Sequence, residues 1–264
     1  MSTTSAVITT VCNQKGGVGK TATTTGVSSA LAKQGLRVLV VDMDPQANAS
    51  NTLAPELNEH SFTTLDVLKY ADSPNAAQAI RQAIVPAAPA WAGINLIPSE
   101  RALSDREVDN SAGRERRLAV ALALVADEYD HIVIDCPPSL GLLTTNALTA
   151  ATQALIVTEP RRDPMLAVNE MITTIYTIKA AYNPTLALAG VVLNRWRVNQ
   201  TDRTEWFEKA TTDLGKALLP TLIPEREAIP RAASRHVPTS DPAVADTYAA
   251  IAAHLIAAAT NGDN

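Results

Sequence analysis

The sequence predicts a doubly wound α/β fold: a mainly parallel twisted sheet with helices on both faces, in one domain over residues 1–264. Three observations carry this expectation. Short apolar runs alternate with stretches of helical periodicity along almost the whole chain. One run, RVLVVD (37–42), is apolar on both faces, as strands buried in a parallel sheet are. A glycine-rich stretch, KGGVGKT (15–21), stands between a strand pattern and a helix pattern.

The elements follow in order. AVITTVC (6–12) reads as the first strand and 20–34 as a helix ended by Gly35, with 37–42 as the second strand. Residues 72–92, with Pro74, Pro86 and Pro89, read as an irregular excursion, and INLIPS (94–99) as a third strand. RERRLAVALALVADEY (114–129) has the spacing of one helix. HIVIDC (131–136), QALIVTE (153–159), LAGVVLN (188–194) and LLPTLIP (218–224) are further strands, and an alanine-rich helix over about 242–259 closes the pattern.

Composition narrows the class. The chain has 264 residues, 46% of them hydrophobic but only 4% aromatic, so Ala, Val, Leu and Ile must build the core. The formal charge of −5 means that any nucleic-acid contact must come from a local patch. Cys12 and Cys136 give neither a disulfide framework nor zinc spacing and read as reduced core thiols. No charged-then-apolar leader opens the chain and no apolar run is read as a membrane span, so the expectation is a cytoplasmic protein.

The glycine stretch is where chemistry is expected. Gly16, Gly17 and Gly19 let backbone N–H groups turn around an anion, and the start of the helix at Lys20 adds its positive dipole end. Val18 lies within this cradle and Ala22 follows it. Lys20 would reach the β- and γ-phosphates, and the Thr21 hydroxyl would bind Mg²⁺. The strict pattern G-x-x-x-x-G-K-[ST] fails, because its first glycine falls on Gln14. A second lysine, Lys15, stands five residues before Lys20, more than one phosphate chain needs from one loop. Two further segments carry carboxylates. In VVDMDPQANAS (40–50), Asp42 and Asp44 lie two apart on an extended segment and so share a side, where they could address Mg²⁺ and a water. Asp135 ends the apolar strand IVID, the Walker B arrangement for contacting Mg²⁺ directly or through water.

The stretch from Lys15 to Thr21 is similar to the deviant Walker A loop of the ParA/MinD group of ATPases, and DMDPQAN, DCPPSLGLLTTNALTAA and INLIPSERAL resemble ParA segments, over roughly residues 6–240. The resemblance implies ATP and Mg²⁺ as cofactors and an ATP-dependent homodimer in which Lys15 reaches the partner's nucleotide. It implies that Asp44 orients the attacking water, that Asp42 supports the metal shell, and that Asn194 reads the adenine edge while Pro224 lies against the base. Arg197 stands where a guanine reader would need Asp, so guanine is not supported. It further implies non-specific DNA binding by the ATP dimer, association with the nucleoid, and a ParB-like partner that stimulates hydrolysis. Residues 195–236 carry eight Lys/Arg against six Asp/Glu, with Arg195, Arg197, Arg203, Arg231 and Arg235 as the DNA candidates. Glu225 stands where the family pattern has an arginine.

The final helix lacks the Lys/Arg-rich face of a MinD-like membrane anchor, so no membrane partner is expected. No helix-turn-helix is expected before the first strand. Two alternatives remain: an ATPase of the same fold that positions a protein cargo, and a metabolic P-loop enzyme such as an amidoligase or small-molecule kinase. Lys15 speaks against the second, since a monomeric kinase has no use for it.

Overall fold

The computed structural model describes residues 6–54, 56–58, 60–197 and 201–261, without the side chains of 201–203 and 261. In chain order it runs β1 (Val7–Cys12), α1 (Lys20–Lys33), β2 (Val38–Asp42), α2 (Asn48–Leu53), α3 (Thr64–Tyr70), α4 (Ala76–Ala83), β3 (Val85–Pro86) and β4 (Ile94–Ile97). It continues with α5 (Arg117–Ala123), β5 (His131–Asp135), α6 (Leu142–Ala150), β6 (Gln153–Thr158), α7 (Arg162–Ala181) and β7 (Ala187–Trp196). The last elements are α8 (Thr201–Leu214), β8 (Leu218–Pro224), α9 (Ala228–Ser234) and α10 (Pro242–Asn261).

The strands form one sheet in the order β3-β4-β2-β5-β1-β6-β7-β8. Every pairing is parallel except β3 with β4 at the edge. Pro86 sits in that edge strand, where a missing N–H costs no ladder bond. The chain leaves β1 through α1 and reaches β2 on the far side of β5, whereas β6 lies on the other flank of β1. The carboxyl end of β1 is therefore a topological switch point, where sheets of this kind hold ligands.

Apolar side chains bury the sheet on both faces. One cluster gathers Leu39, Val41, Ile132, Ile134 and Ile156 with the α3–α7 side, and the other gathers Val40, Val133, Leu155 and Val192 with α1 and α10. This two-sided burial is why β2 and β5 read as unbroken apolar runs. α1 starts at Gly19 and ends in a Schellman turn: Gly35 N–H donates to Ala32 O at 2.9 Å and Leu36 N–H to Leu31 O at 3.4 Å. Gly35 takes the left-handed φ of 83° that this turn requires.

Three expectations need correction. Residues 72–92 are not wholly irregular: α4, the edge strand β3 and a 3₁₀ turn at Pro89–Trp91 occupy them. The single helix expected over 114–129 is broken into 3₁₀ turns at Arg114–Arg116 and Ala126–Glu128 flanking α5. Its last turn must bend to deliver the chain to β5, and Ala6 N–H takes the Ala126 carbonyl at 3.3 Å. Finally, Pro242–Thr260 of α10 is long and apolar enough to cross a membrane by length and composition, with a mean hydropathy of 1.3. Its alanines raise the hydropathy without bulk, and Val244, Ile251 and Leu255 pack into the core.

Candidate nucleotide site

The loop after β1 is held from below by Asn13, which is fully buried. Its Nδ2 donates to Val157 O of β6 at 2.8 Å, and its Oδ1 accepts the Lys15 N–H at 2.9 Å. Gly17 and Gly19 adopt φ of 78° and 97°, which β-carbon-bearing residues rarely tolerate. Gly19 has a second reason to lack a side chain, since a Cβ there would lie 2.0 Å from Asn194 Nδ2. That amide donates to Val18 O at 2.7 Å, so Asn194 closes over the loop from the end of β7.

The two lysines leave this loop into different surroundings. Lys20 is buried, with Nζ donating to Lys15 O at 3.2 Å. Burial lowers its pKa, and Asp135, Cys136 and Asp44 partly offset that. Lys15 is exposed, while its backbone is pinned through both N–H and carbonyl. One lysine is committed to the inside of the loop and the other is presented outward from a fixed backbone.

Asp135 lies behind the loop at the end of β5, in register with Asp42 on β2. Both carboxyls are fully buried. Thr21 Oγ1 donates to Asp135 Oδ2 at 2.7 Å and Thr24 Oγ1 to Oδ1 at 3.0 Å. Burial, followed by the neighbouring Asp42, pushes the Asp135 pKa up to about 7, against the pull of the two hydroxyls and Lys20. Asp42 is raised to about 6, mainly by burial. Its Oδ2 accepts Ser50 N–H at 2.8 Å and Ser50 Oγ–H at 2.7 Å, and its Oδ1 accepts Asp44 N–H at 3.0 Å. Asp42 thus binds the segment that carries Asp44, on the strand beside the one that carries Asp135. Asp44 is buried, and its Oδ1 accepts Gln46 N–H at 2.9 Å.

The donor set fits Mg²⁺ held with a nucleotide. Among the described residues no group of three or more His, Cys, Asp or Glu could cage a metal. Mg²⁺ uses one or two protein oxygens and completes its shell with phosphates and water, and Thr21 with Asp135 offers that hydroxyl–carboxylate pair. The cysteines are inert by contrast: burial pushes Cys12 up to about 12 and Cys136 well above its usual range.

A cleft of about 440 Å³ opens beside Lys15, Gly16 and Gly17. Glu159, buried at the end of β6, accepts from Arg195 Nη1 at 2.8 Å and faces Arg161 Nε at 3.6 Å. The arginines named as DNA candidates differ in their surroundings. Arg195 lines this cleft at the nucleotide loop, held at φ 56° with its N–H on Asn194 Oδ1. Arg197 pairs with Glu225, and Arg231 meets Glu227 at 3.3 Å. Arg235 is exposed at the end of α9, and the Arg203 side chain lies outside the described residues. Pro224 ends β8 with its neighbour Glu225 bonded to Trp196 O, beside the strand that carries Asn194. Asn13, Glu159 and Arg161 were missed by sequence reasoning. TEPRRDP follows a predicted strand at its carboxyl end, and that position was the available signal.

Comparison with known proteins adds a family context. A family profile described as an AAA domain matches residues 6–188. The chain is 32% identical over 233 residues to the sporulation initiation inhibitor protein Soj of Bacillus subtilis, covering 88% of this chain and 89% of that protein. It is 34% identical over 216 residues to the chromosome partitioning protein ParA of Myxococcus xanthus, covering 81% and 74%. Among solved structures, a cobyrinic acid a,c-diamide synthase from Mycobacterium smegmatis with bound ADP and magnesium superposes with a TM-score of 0.79 at 30% identity, covering 97% and 96% of the two chains.

Proposed function

We propose that this chain, which belongs to the family of the ParA and Soj partition proteins, is a P-loop ATPase that dimerises on ATP and Mg²⁺, binds DNA without sequence preference and is stimulated by a ParB-like partner. The observation that carries the reading is the pair of lysines from one loop, Lys20 buried inside it and Lys15 exposed on a pinned backbone. A self-contained phosphate loop has no need of the second. Lys15 of each subunit would meet the phosphates held by the other, neutralising charge as an arginine finger does.

In this mechanism water attacks the γ-phosphate and the bond to the β-phosphate oxygen breaks. Asp44 orients the water, and Lys20 with the partner's Lys15 neutralises the oxygens. Thr21 and Asp135 would hold Mg²⁺, which would supply positive charge against the phosphates. Asp42 fixes the Asp44 segment through Ser50. Asn194 and Pro224 would line the base. DNA would be held at the surface by arginines from 195–235, and the exposed pair of Arg231 with Glu227 costs little to release. The protein would be cytoplasmic, and nucleoid-bound in its ATP state.

The test is a salt titration of binding to random duplex DNA, with and without ATP and Mg²⁺. Binding is expected only with ATP, and log affinity should fall against log salt with a slope of roughly −4 to −7, for two to four arginines per subunit. Arg203→Glu should weaken all sequences alike and leave dimerisation intact. ATP-dependent dimers that bind no DNA even at low salt would shift the assignment to a protein cargo. A second reading, a metabolic ligase, is supported by the 30% identity to the synthase structure. It requires ATP turnover that Lys15→Ala leaves unchanged.

A further inference from the structure

Residues 225–241 leave β8 at Pro224 and cross the outer face of α1 before entering α10. They carry α9 at the start of the crossing. A cavity of about 340 Å³ separates this strap from α1, with Ala22, Gly26 and Ser29 on the helix side and Ile229, Ala233 and Val237 on the strap. Ile229 packs against the core, and beside the cavity the strap is less closely seated. It is fastened at its far end: His236 Nδ1 donates to Asn51 O at 2.6 Å, and Trp91 Nε1 donates to His236 O at 3.0 Å.

The backbone at His236 adopts the conformation that the turn after α9 requires. α9 ends in the same Schellman turn as α1, with His236 N–H on Ala233 O and Val237 N–H on Ala232 O, both at 3.1 Å. The turn requires a left-handed residue, and after α1 that residue is Gly35 at φ 83°. After α9 it is His236 at φ 55°. A β-carbon-bearing residue persists in such a conformation where its surroundings over-determine it. Here the imidazole satisfies a carbonyl in the last turn of α2, a group with no partner inside its own helix. α2 also carries Ser50, whose N–H and hydroxyl hold Asp42.

We propose that His236 is a positioning residue: its imidazole latches the strap, which begins at Pro224, to α2, the element that holds Asp42. The inference rests on the nucleotide reading of the site. The latch keeps the base-side wall and the Asp42–Asp44 segment in fixed relation before nucleotide arrives, so binding need not order the strap. Without the imidazole the strap keeps the Trp91 bond to its backbone but loses its tie to α2.

His236→Gly separates this role from a helix cap. Gly relieves the left-handed strain but removes the imidazole, so a cap alone would leave ADP affinity unchanged and stability equal or higher. A latch predicts wild-type melting with ADP·Mg²⁺ affinity lowered about three- to tenfold by calorimetry, the range one hydrogen bond supplies. His236→Asn tolerates the left-handed region and restores a donor, and is expected to recover part of the affinity. ADP keeps the readout independent of DNA. Wild-type ADP affinity in a folded His236→Gly protein overturns the latch alone. If the Gly variant does not fold, wild-type ADP affinity in a folded His236→Ala protein overturns it equally. Failure of the wild type to bind ADP overturns the nucleotide reading and the latch with it.

Discussion

Gly19 shows how much a single residue of the loop must satisfy. Its φ of 97° and the Asn194 amide standing 2.0 Å from where a Cβ would be built are independent demands on one position. Gly19→Ala is expected to cost about 1–3 kcal/mol from strain alone. It should also push Asn194 off the Val18 carbonyl, lowering both the melting temperature and nucleotide affinity by calorimetry. Asp44 makes the opposite case, a residue whose loss should leave binding intact. Lys20, Thr21 and Asp135 do not depend on it for their contacts. Asp44→Ala is therefore expected to accumulate an ATP-bound dimer on size exclusion with ATP and Mg²⁺, with hydrolysis reduced by at least about 10²-fold, as for a lost water-positioning group. A monomer under those conditions would make Asp44 structural. Gly19 was legible in the sequence as part of the glycine loop, whereas the role proposed for Asp44 came from the family resemblance. Asn13 was not legible: its task is to tie Lys15 N–H to a β6 carbonyl 144 residues away, and local pattern carries no trace of that.

At the scale of elements, α1 and α10 meet where Gly26 faces Tyr248. A Cβ on Gly26 would lie 2.4 Å from the ring, whose atoms are fixed by burial. Gly26→Ala is expected to force α10 off α1 and to destabilise by about 1–3 kcal/mol, read as a lower thermal midpoint. Pairing it with Tyr248→Leu, which vacates the ring's edge, should recover part of the loss; no recovery would place the cost in the helix backbone instead. Strands were the easiest elements to read, since a sheet buried on both faces leaves unbroken apolar runs such as VLVVD and HIVID. The stretch 114–129 misled because helical spacing of apolar residues does not reveal where the chain must turn. Arg117 bonds Asp109 and Asp72, and Leu118 N–H takes Asn146 Oδ1, so tertiary partners set the start of α5. The prolines of 72–92 hid α4 for the reverse reason: they flank the helix and leave Ala76–Ala83 uninterrupted.

Across the whole molecule, the candidate site lies where β1, β5 and β2 end together, and the sequence revealed its parts without their arrangement. The register of Asp42 with Asp135 joins two carboxyls 93 residues apart, and only the sheet order shows it. The charge balance was the weakest guide. The excess of Lys/Arg over 195–236 is real, yet Glu159, Glu225 and Glu227 take up Arg195, Arg197 and Arg231 locally. In the proposed mechanism Lys15 is the feature with consequences beyond one chain, because it would complete a phosphate site on a second molecule.

Sedimentation mass and ATP affinity of the wild type, Lys15→Ala and Lys20→Ala, each with ATP and Mg²⁺, test this most directly. The expected result is a dimer for the wild type alone. Lys15→Ala should stay monomeric and bind ATP within about threefold of the wild-type monomer, while Lys20→Ala, which loses a buried charge-assisted contact, should bind none. An equal loss of ATP affinity in both variants, or a stable ATP dimer of Lys15→Ala, would contradict a lysine that acts across the subunit boundary.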